Sequence, residues 1–164
     1  LSEIRDSRPW LRHDPDADAF TFPHTVQGVV TARIDRLPTR EQLTLKVASV
    51  LGTAFPVRVL RDVHPVRSDV QWLPTQLDTL VNANLTTLER PAPDLAYAFT
   101  HAITRDVAYE LMLFAQRRQL HRAVAEWYED AHPADRSELL AVLAHHWRAA
   151  GDAGKAVEYL EQAG

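Results

Sequence analysis

The sequence predicts a mainly α-helical chain: a helical module in the order of a winged helix-turn-helix, with one small β-hairpin, followed by a helical hairpin. Three observations carry that expectation. Apolar residues recur at helical spacing through most of the chain, as at Val26, Val29, Val30, Ile34 and Leu37. The period changes once, where Leu85-Thr86-Thr87-Leu88 and Leu95-Ala96-Tyr97-Ala98-Phe99 form two β-prone runs around Glu89-Arg90-Pro91-Ala92-Pro93-Asp94. Pro38, Gly52, Pro133 and Gly151 fall at the ends of periodic runs, where helices stop.

Taken in order, residues 1–24 are the least regular, with Pro9, Pro15 and Pro23 and an acidic patch at Asp14, Asp16 and Asp18. They read as a linker or short helix ending in a turn. The module proper spans 25–132. Its first helix runs from Thr25 to Pro38, and Thr39 with Gln42 matches a capping box for the second, which turns Leu43, Val47, Val50 and Leu51 inward before Gly52. A short helix follows around Val57–Val63, then a loop to Pro74. Thr75 is placed to cap the next helix, with Leu77, Leu80 and Val81 spaced for burial. After the hairpin, residues 102–130 contain no Pro or Gly and keep a helical period too long for one compact helix, so a break is expected near Ala115. The last unit spans 137–164, two helices joined by Gly151-Asp152.

Composition narrows the function. The chain has 164 residues, 46% of them hydrophobic and 24% charged, which is globular, and no apolar run approaches the length of a membrane span. With no Cys there is no disulfide framework, thiolate nucleophile or zinc–thiolate site, which permits the expectation of a cytoplasmic protein. A net charge of −4 argues against nucleic acid as a partner. Catalytic patterns are missing as well. Gly151-Asp152-Ala153-Gly154-Lys155 has the wrong spacing for a phosphate loop and no preceding strand, and no Gly-x-Ser-x-Gly elbow occurs. Adjacent His145 and His146 point about 100° apart on a helix and cannot clasp a metal as an i, i+4 pair does, so one surface and one packing histidine are expected and no metal site. His121 with Arg117, Arg118 and Arg122 forms a basic cluster that reads as a solvated helix face, since Glu126, Glu129 and Asp130 follow closely.

Longer runs carry a resemblance. Residues 22–38 (FPHTVQGVVTARIDRLP), 45–55 (LKVASVLGTAF), 97–110 (YAFTHAITRDVAYE) and 117–129 (RRQLHRAVAEWYE) resemble the region behind the ATPase core in large bacterial regulators of the signal-transducing ATPase (STAND) class, AAA-type ATPases often fused to class III adenylate or guanylate cyclase domains. Residues 143–163 (LAHHWRAAGDAGKAVEYLEQA) resemble one tetratricopeptide repeat, in which small Ala144 and Ala156 let paired helices approach. The resemblance covers residues 20–164. It implies a non-catalytic regulatory piece of a longer ATPase: the end of the ATPase domain or a linker in 1–24, a winged-helix module in 25–132, and a first repeat in 137–164. No cofactor is expected within the segment, whereas the parent would bind ATP or ADP with Mg and, where fused to a cyclase domain, make a cyclic nucleotide. The implied partners are the preceding ATPase domain and a protein held by the repeats, with no membrane. In related ATPases a winged-helix histidine reaches the β-phosphate of ADP, a role the resemblance gives to His101, while Arg33 and Arg36, three residues apart on one helix, could face the same nucleotide. Two other readings stay open: a DNA-binding winged helix of a transcriptional regulator, and an interaction scaffold without nucleotide coupling.

Overall fold

The structure, a computed structural model, describes residues 15–132 and 136–164. The chain is mainly helical, with eight α-helices and one three-stranded antiparallel sheet among the described residues. The helices are α1 (Pro15–Asp35), α2 (Thr39–Leu51), α3 (Val57–Val63), α4 (Leu73–Asn82), α5 (Ala102–Glu110), α6 (Phe114–Ala131), α7 (Leu140–Ala149) and α8 (Ala153–Ala163). The strands are β1 (Ala54–Pro56), β2 (Thr86–Arg90) and β3 (Ala96–Phe99), in spatial order β1-β3-β2. Short 3-10 turns at Arg67–Trp72 and Ser137–Leu139 lead into α4 and α7. Among the described residues no helix is long and apolar enough to cross a membrane.

The expected hairpin forms between β2 and β3, with Thr86 opposite Phe99 and a bulge between Leu88 and Arg90. Sequence reasoning missed β1. Three residues ending in Pro carry no strand signal; the segment becomes a strand because β3 offers it an edge, pairing Ala54 with Ala98 and Pro56 with Ala96. Phe55 is thereby buried against Phe99, edge to face at 5.6 Å between ring centroids, and Tyr97, stacked at 6.3 Å.

Several local expectations are corrected. The backbone of α1 is helical through position 23, where a turn was expected, so the helix crosses the boundary drawn at 24/25. Within its described part Val30 and Ile34 are buried, but Val26 and Val29 face solvent. Thr39 is already inside α2 and forms no capping box; Gln42 Nε2 instead donates to Leu37 O (2.9 Å) and Asp35 O (3.3 Å), tying α2 to the frayed end of α1. Thr75 likewise lies inside α4, which starts at Leu73 with Pro74 in its first turn, and Val81 is exposed while Leu77 and Leu80 are buried. The break in the long helical run falls at Leu111–Leu113, just before Ala115. Pro133, the expected stop of α6, lies outside the described residues.

Two apolar cores result. The larger collects α1 to α6 and the sheet, from Val30 and Ile34 through Leu45, Phe55, Leu60, Leu77 and Leu85 to Val124. The smaller lies between α6, α7 and α8, with Ala125, Leu143, Ala144, Trp147, Ala156 and Tyr159. Ala144 and Ala156 are both buried where α7 meets α8, as small residues at a close helix approach should be. Gly151 turns the chain between them at φ +84°, and Asp152 caps α8 by accepting from Lys155 N at 3.1 Å. Tyr128 of α6 touches both cores.

Candidate functional site

His101 is exposed at the N-cap of α5, directly after β3, where its φ of −137° and ψ of 141° are extended. Its side chain makes no capping bond, and His101 and Ala102 are both exposed. Arg36 is exposed near the end of α1, whereas Arg33 is half-buried and commits its guanidinium to the backbone, donating from Nη2 to Ala83 O at 2.7 Å. That bond caps the C-terminal end of α4, where orphan carbonyls and the negative end of the helix dipole favour a cation. α1 packs on α5, and Thr100 N donates to Leu85 O, so His101 and the Arg33 contact belong to the same end of the β2–β3 pair. No contact joins the three side chains among the described residues.

A second constellation lies at the joint between the two cores. His121 of α6 and His146 of α7 are buried, with their Nδ1 atoms 2.8 Å apart. His145 is exposed, but its ring meets both, at 5.6 Å from His121 and 5.1 Å from His146 between centroids. One ring nitrogen from each of the three lies within 4.8 Å of the others. The adjacency argument for His145 and His146 describes their burial correctly, one ring out and one in, but the two rings still bring a nitrogen each within 4.8 Å, and a third arrives from α6. Nothing in the sequence pairs position 121 with position 146, because the pairing is created by the packing of α6 on α7.

Electrostatics keep these rings neutral. Burial lowers the His121 pKa to about 4, with the charges of His145, Arg105 and Arg117 acting in the same direction. Burial likewise takes His146 down to about 3, helped by His121 and His145. His145 is lowered too, by the partial burial of its ring and then by Arg148 and Arg105. At neutral pH the His121–His146 bond is thus between two neutral imidazoles, one donating and one accepting. The far nitrogen of His121, Nε2, bonds Tyr109 Oη of α5 at 2.8 Å.

Arginines surround that joint. Arg105 and Arg117 both lie over the Tyr109 ring, 5.3 and 4.9 Å from its centroid. Arg117 also donates to Met112 O and Glu110 O, capping α5, and Arg118 Nε donates to Ala150 O at the end of α7. The predicted basic cluster is thus solvated at Arg118 and Arg122, as expected, but His121 is buried, and Arg117 and Arg118 also tie helix ends. Arg117, Arg118 and Arg148 with Tyr109 and Phe114 border a cleft of about 440 Å3. A separate apolar groove of about 500 Å3 runs between α2 and α6, over Leu43, Val63, Met112 and Leu120.

No protein-family model, no curated protein and no solved structure matches the chain.

Proposed function

We propose that the chain is a non-catalytic regulatory segment of a multidomain signalling ATPase, a winged-helix module followed by a tetratricopeptide-like repeat, which couples the ATP or ADP state of the ATPase domain and the binding of a protein partner to an output domain elsewhere. The observation that carries this reading is the element order α2-β1-α3-α4-β2-β3 with the sheet order β1-β3-β2, an arrangement in which α4 takes the place of a recognition helix. Yet α4 carries Asp78 and no Lys or Arg. A helix meant for the major groove needs cations for the phosphates on either side, so this order of elements without a basic α4 favours contact with protein over contact with DNA.

Within this reading His101 is the nucleotide-facing residue. Its exposed ring stands beside the first-turn amides of α5, which together form a surface suited to a phosphate oxygen. Arg36 remains exposed just past the end of α1, whereas Arg33 serves α4 and acts at most by positioning. ADP would favour a closed packing of the ATPase domain on this face, and exchange for ATP would release it, a population shift that requires different contacts in the two states.

The test is His101→Ala in the full-length protein, with ADP affinity and basal output measured together. The expected result is ADP affinity weakened about tenfold, equivalent to about 1.4 kcal/mol, with raised basal output. Unchanged ADP affinity and output would overturn nucleotide coupling and leave the interaction scaffold. Salt-sensitive binding of the chain to random duplex DNA would instead support the transcription-factor reading.

A further inference from the structure

The histidine joint between the two cores meets a requirement that the proposed regulatory role does not use: three neutral imidazoles from two helices converge on one point. We propose that His121, His145 and His146 form a binding site for a divalent transition-metal ion of the zinc type, which clasps α6 to α7. Imidazole nitrogen suits Zn2+, Co2+, Ni2+ and Cu2+, whereas Mg2+ and Ca2+ prefer oxygen, and among the described residues no carboxylate belongs to this cluster.

The geometry is close to what such an ion needs. Tetrahedral zinc holds its nitrogens at about 2.0–2.1 Å, so two ligand atoms sit about 3.4 Å apart. The His121 and His146 Nδ1 atoms are 2.8 Å apart, and the widest separation in the triad is at most 4.8 Å. To hold one ion the His121–His146 pair must open by about 0.6 Å and the widest separation close by up to about 1.4 Å.

The tautomers also fit. With His121 Nδ1 as ligand, its proton resides on Nε2 and is donated to Tyr109 Oη at 2.8 Å, the outer contact that orients a metal-bound histidine. His146 must then give up the hydrogen bond to His121 and carry its proton on the other nitrogen, a tautomer change that releases no net proton. Arg105, Arg117 and Arg148 raise the positive potential nearby, which selects a metal that holds imidazole strongly and completes its coordination with an anionic ligand such as hydroxide or chloride. The consequence is a clasp between the larger module and the terminal helix pair, whose strength follows metal supply.

The experiment titrates the untagged chain with Co2+ in a non-coordinating buffer, reading the visible absorption of the bound ion, and then displaces it with Zn2+. One Co2+ per chain with the intense bands of a four- or five-coordinate site is expected, and Zn2+ should raise the melting temperature. His145→Ala decides the matter because that residue is exposed, so the variant should fold; it should weaken binding at least about tenfold, and His146→Gln should do so as well. His132→Ala, an exposed histidine outside the cluster, serves as the control and should leave binding unchanged. Absence of a visible band and of any thermal shift, or binding unaffected by His145→Ala, would overturn the proposal.

Discussion

Replacing Glu129 should loosen the terminal helix pair while leaving the larger core intact. This carboxylate reaches out from α6 to both later helices: Oε1 accepts from Trp147 Nε1 at 2.9 Å and from Tyr159 Oη at 2.6 Å, and Oε2 lies 3.6 Å from Lys155 Nζ. Trp147 is 1% exposed, so its N–H has no ready access to water when the acceptor is removed. Two hydrogen bonds to a charged acceptor contribute about 1.5–3 kcal/mol each, and the half-exposed lysine adds roughly 0.5 kcal/mol. Glu129 is itself partly exposed, and water entering the gap recovers some of the loss. Glu129→Ala should therefore cost about 3 kcal/mol, while Glu129→Gln, which keeps an acceptor but not the charge, should cost about 1 kcal/mol.

Urea denaturation with an unchanged slope gives the total, and amide hydrogen exchange shows where it falls: faster in α7 and α8, unchanged in α2. Burial alone would raise the Glu129 pKa, but the donors Tyr159 and Trp147 and the Lys155 charge outweigh it and hold it below the usual carboxylate value. A lowered carboxylate contributes stability that is present above its unfolded pKa and lost as pH falls through the folded one, so the acid loss of stability below about pH 4.5 should be shallower in Glu129→Gln. The Tyr159 phenol, raised to about 12 by burial and by the Glu129 it donates to, should titrate lower in the same variant. A cost under about 0.5 kcal/mol for Glu129→Ala, or equal costs for Ala and Gln, would refute this assignment.

Two further substitutions probe the larger core and the hairpin turn. Thr44→Val removes the hydroxyl that bonds Gln76 Oε1 and lies 3.2 Å from His64 Nε2, all three residues being buried, and should cost about 2–3 kcal/mol in chemical denaturation because two polar groups lose a partner in an apolar core. Gly151→Ala places a Cβ against the Arg118 guanidinium at a φ of +84°, and should lower stability by about 1–2 kcal/mol in thermal melts; Arg118→Ala in the same background should recover the part due to the clash but not the part due to the backbone.

Much of the helical framework is legible in the residue pattern because it rests on local chemistry. Pro38 and Gly52 bracket α2, the expected span Val57–Val63 is α3, and the change of period at Leu85 marks the hairpin, since each signal acts within a few residues of itself. The caps are less legible. Thr39 and Gln42 match a capping box on paper, but in the fold Gln42 finds better acceptors in the last carbonyls of α1, which only the packing of α1 against α2 makes available. β1 is invisible for the same reason, its strand geometry being imposed by β3. The histidine triad is the extreme case: His121 and His146 are neighbours only because α6 lies along α7, and no spacing rule spans the 25 residues between them. Of the residues proposed to sense nucleotide, the fold leaves His101 and Arg36 outward and turns Arg33 to structural work on α4.

These placements make α6 the element through which the two cores communicate. On one side it packs against α2 and α3, where Trp127 Nε1 donates to Asp62 Oδ2 at 3.0 Å and Arg58 lies 5.2 Å from the Trp127 ring centroid. On the other side the same helix presents His121 to His146, Arg118 to Ala150 and Glu129 to Trp147 and Tyr159. A change of packing at the His101 end would reach the terminal helix pair by moving or re-partnering these side chains, because no other element among the described residues contributes to both buried clusters. The polar tie to the larger core, Trp127 to Asp62, is exposed, while those of Glu129 to α7 and α8 are partly buried and charge-assisted, and buried Leu120 and Val124 anchor α6 in the larger core. The polar ties therefore differ in kind along α6: Trp127 can leave Asp62 for water at little cost, whereas Glu129 cannot leave Trp147 without stranding a buried N–H.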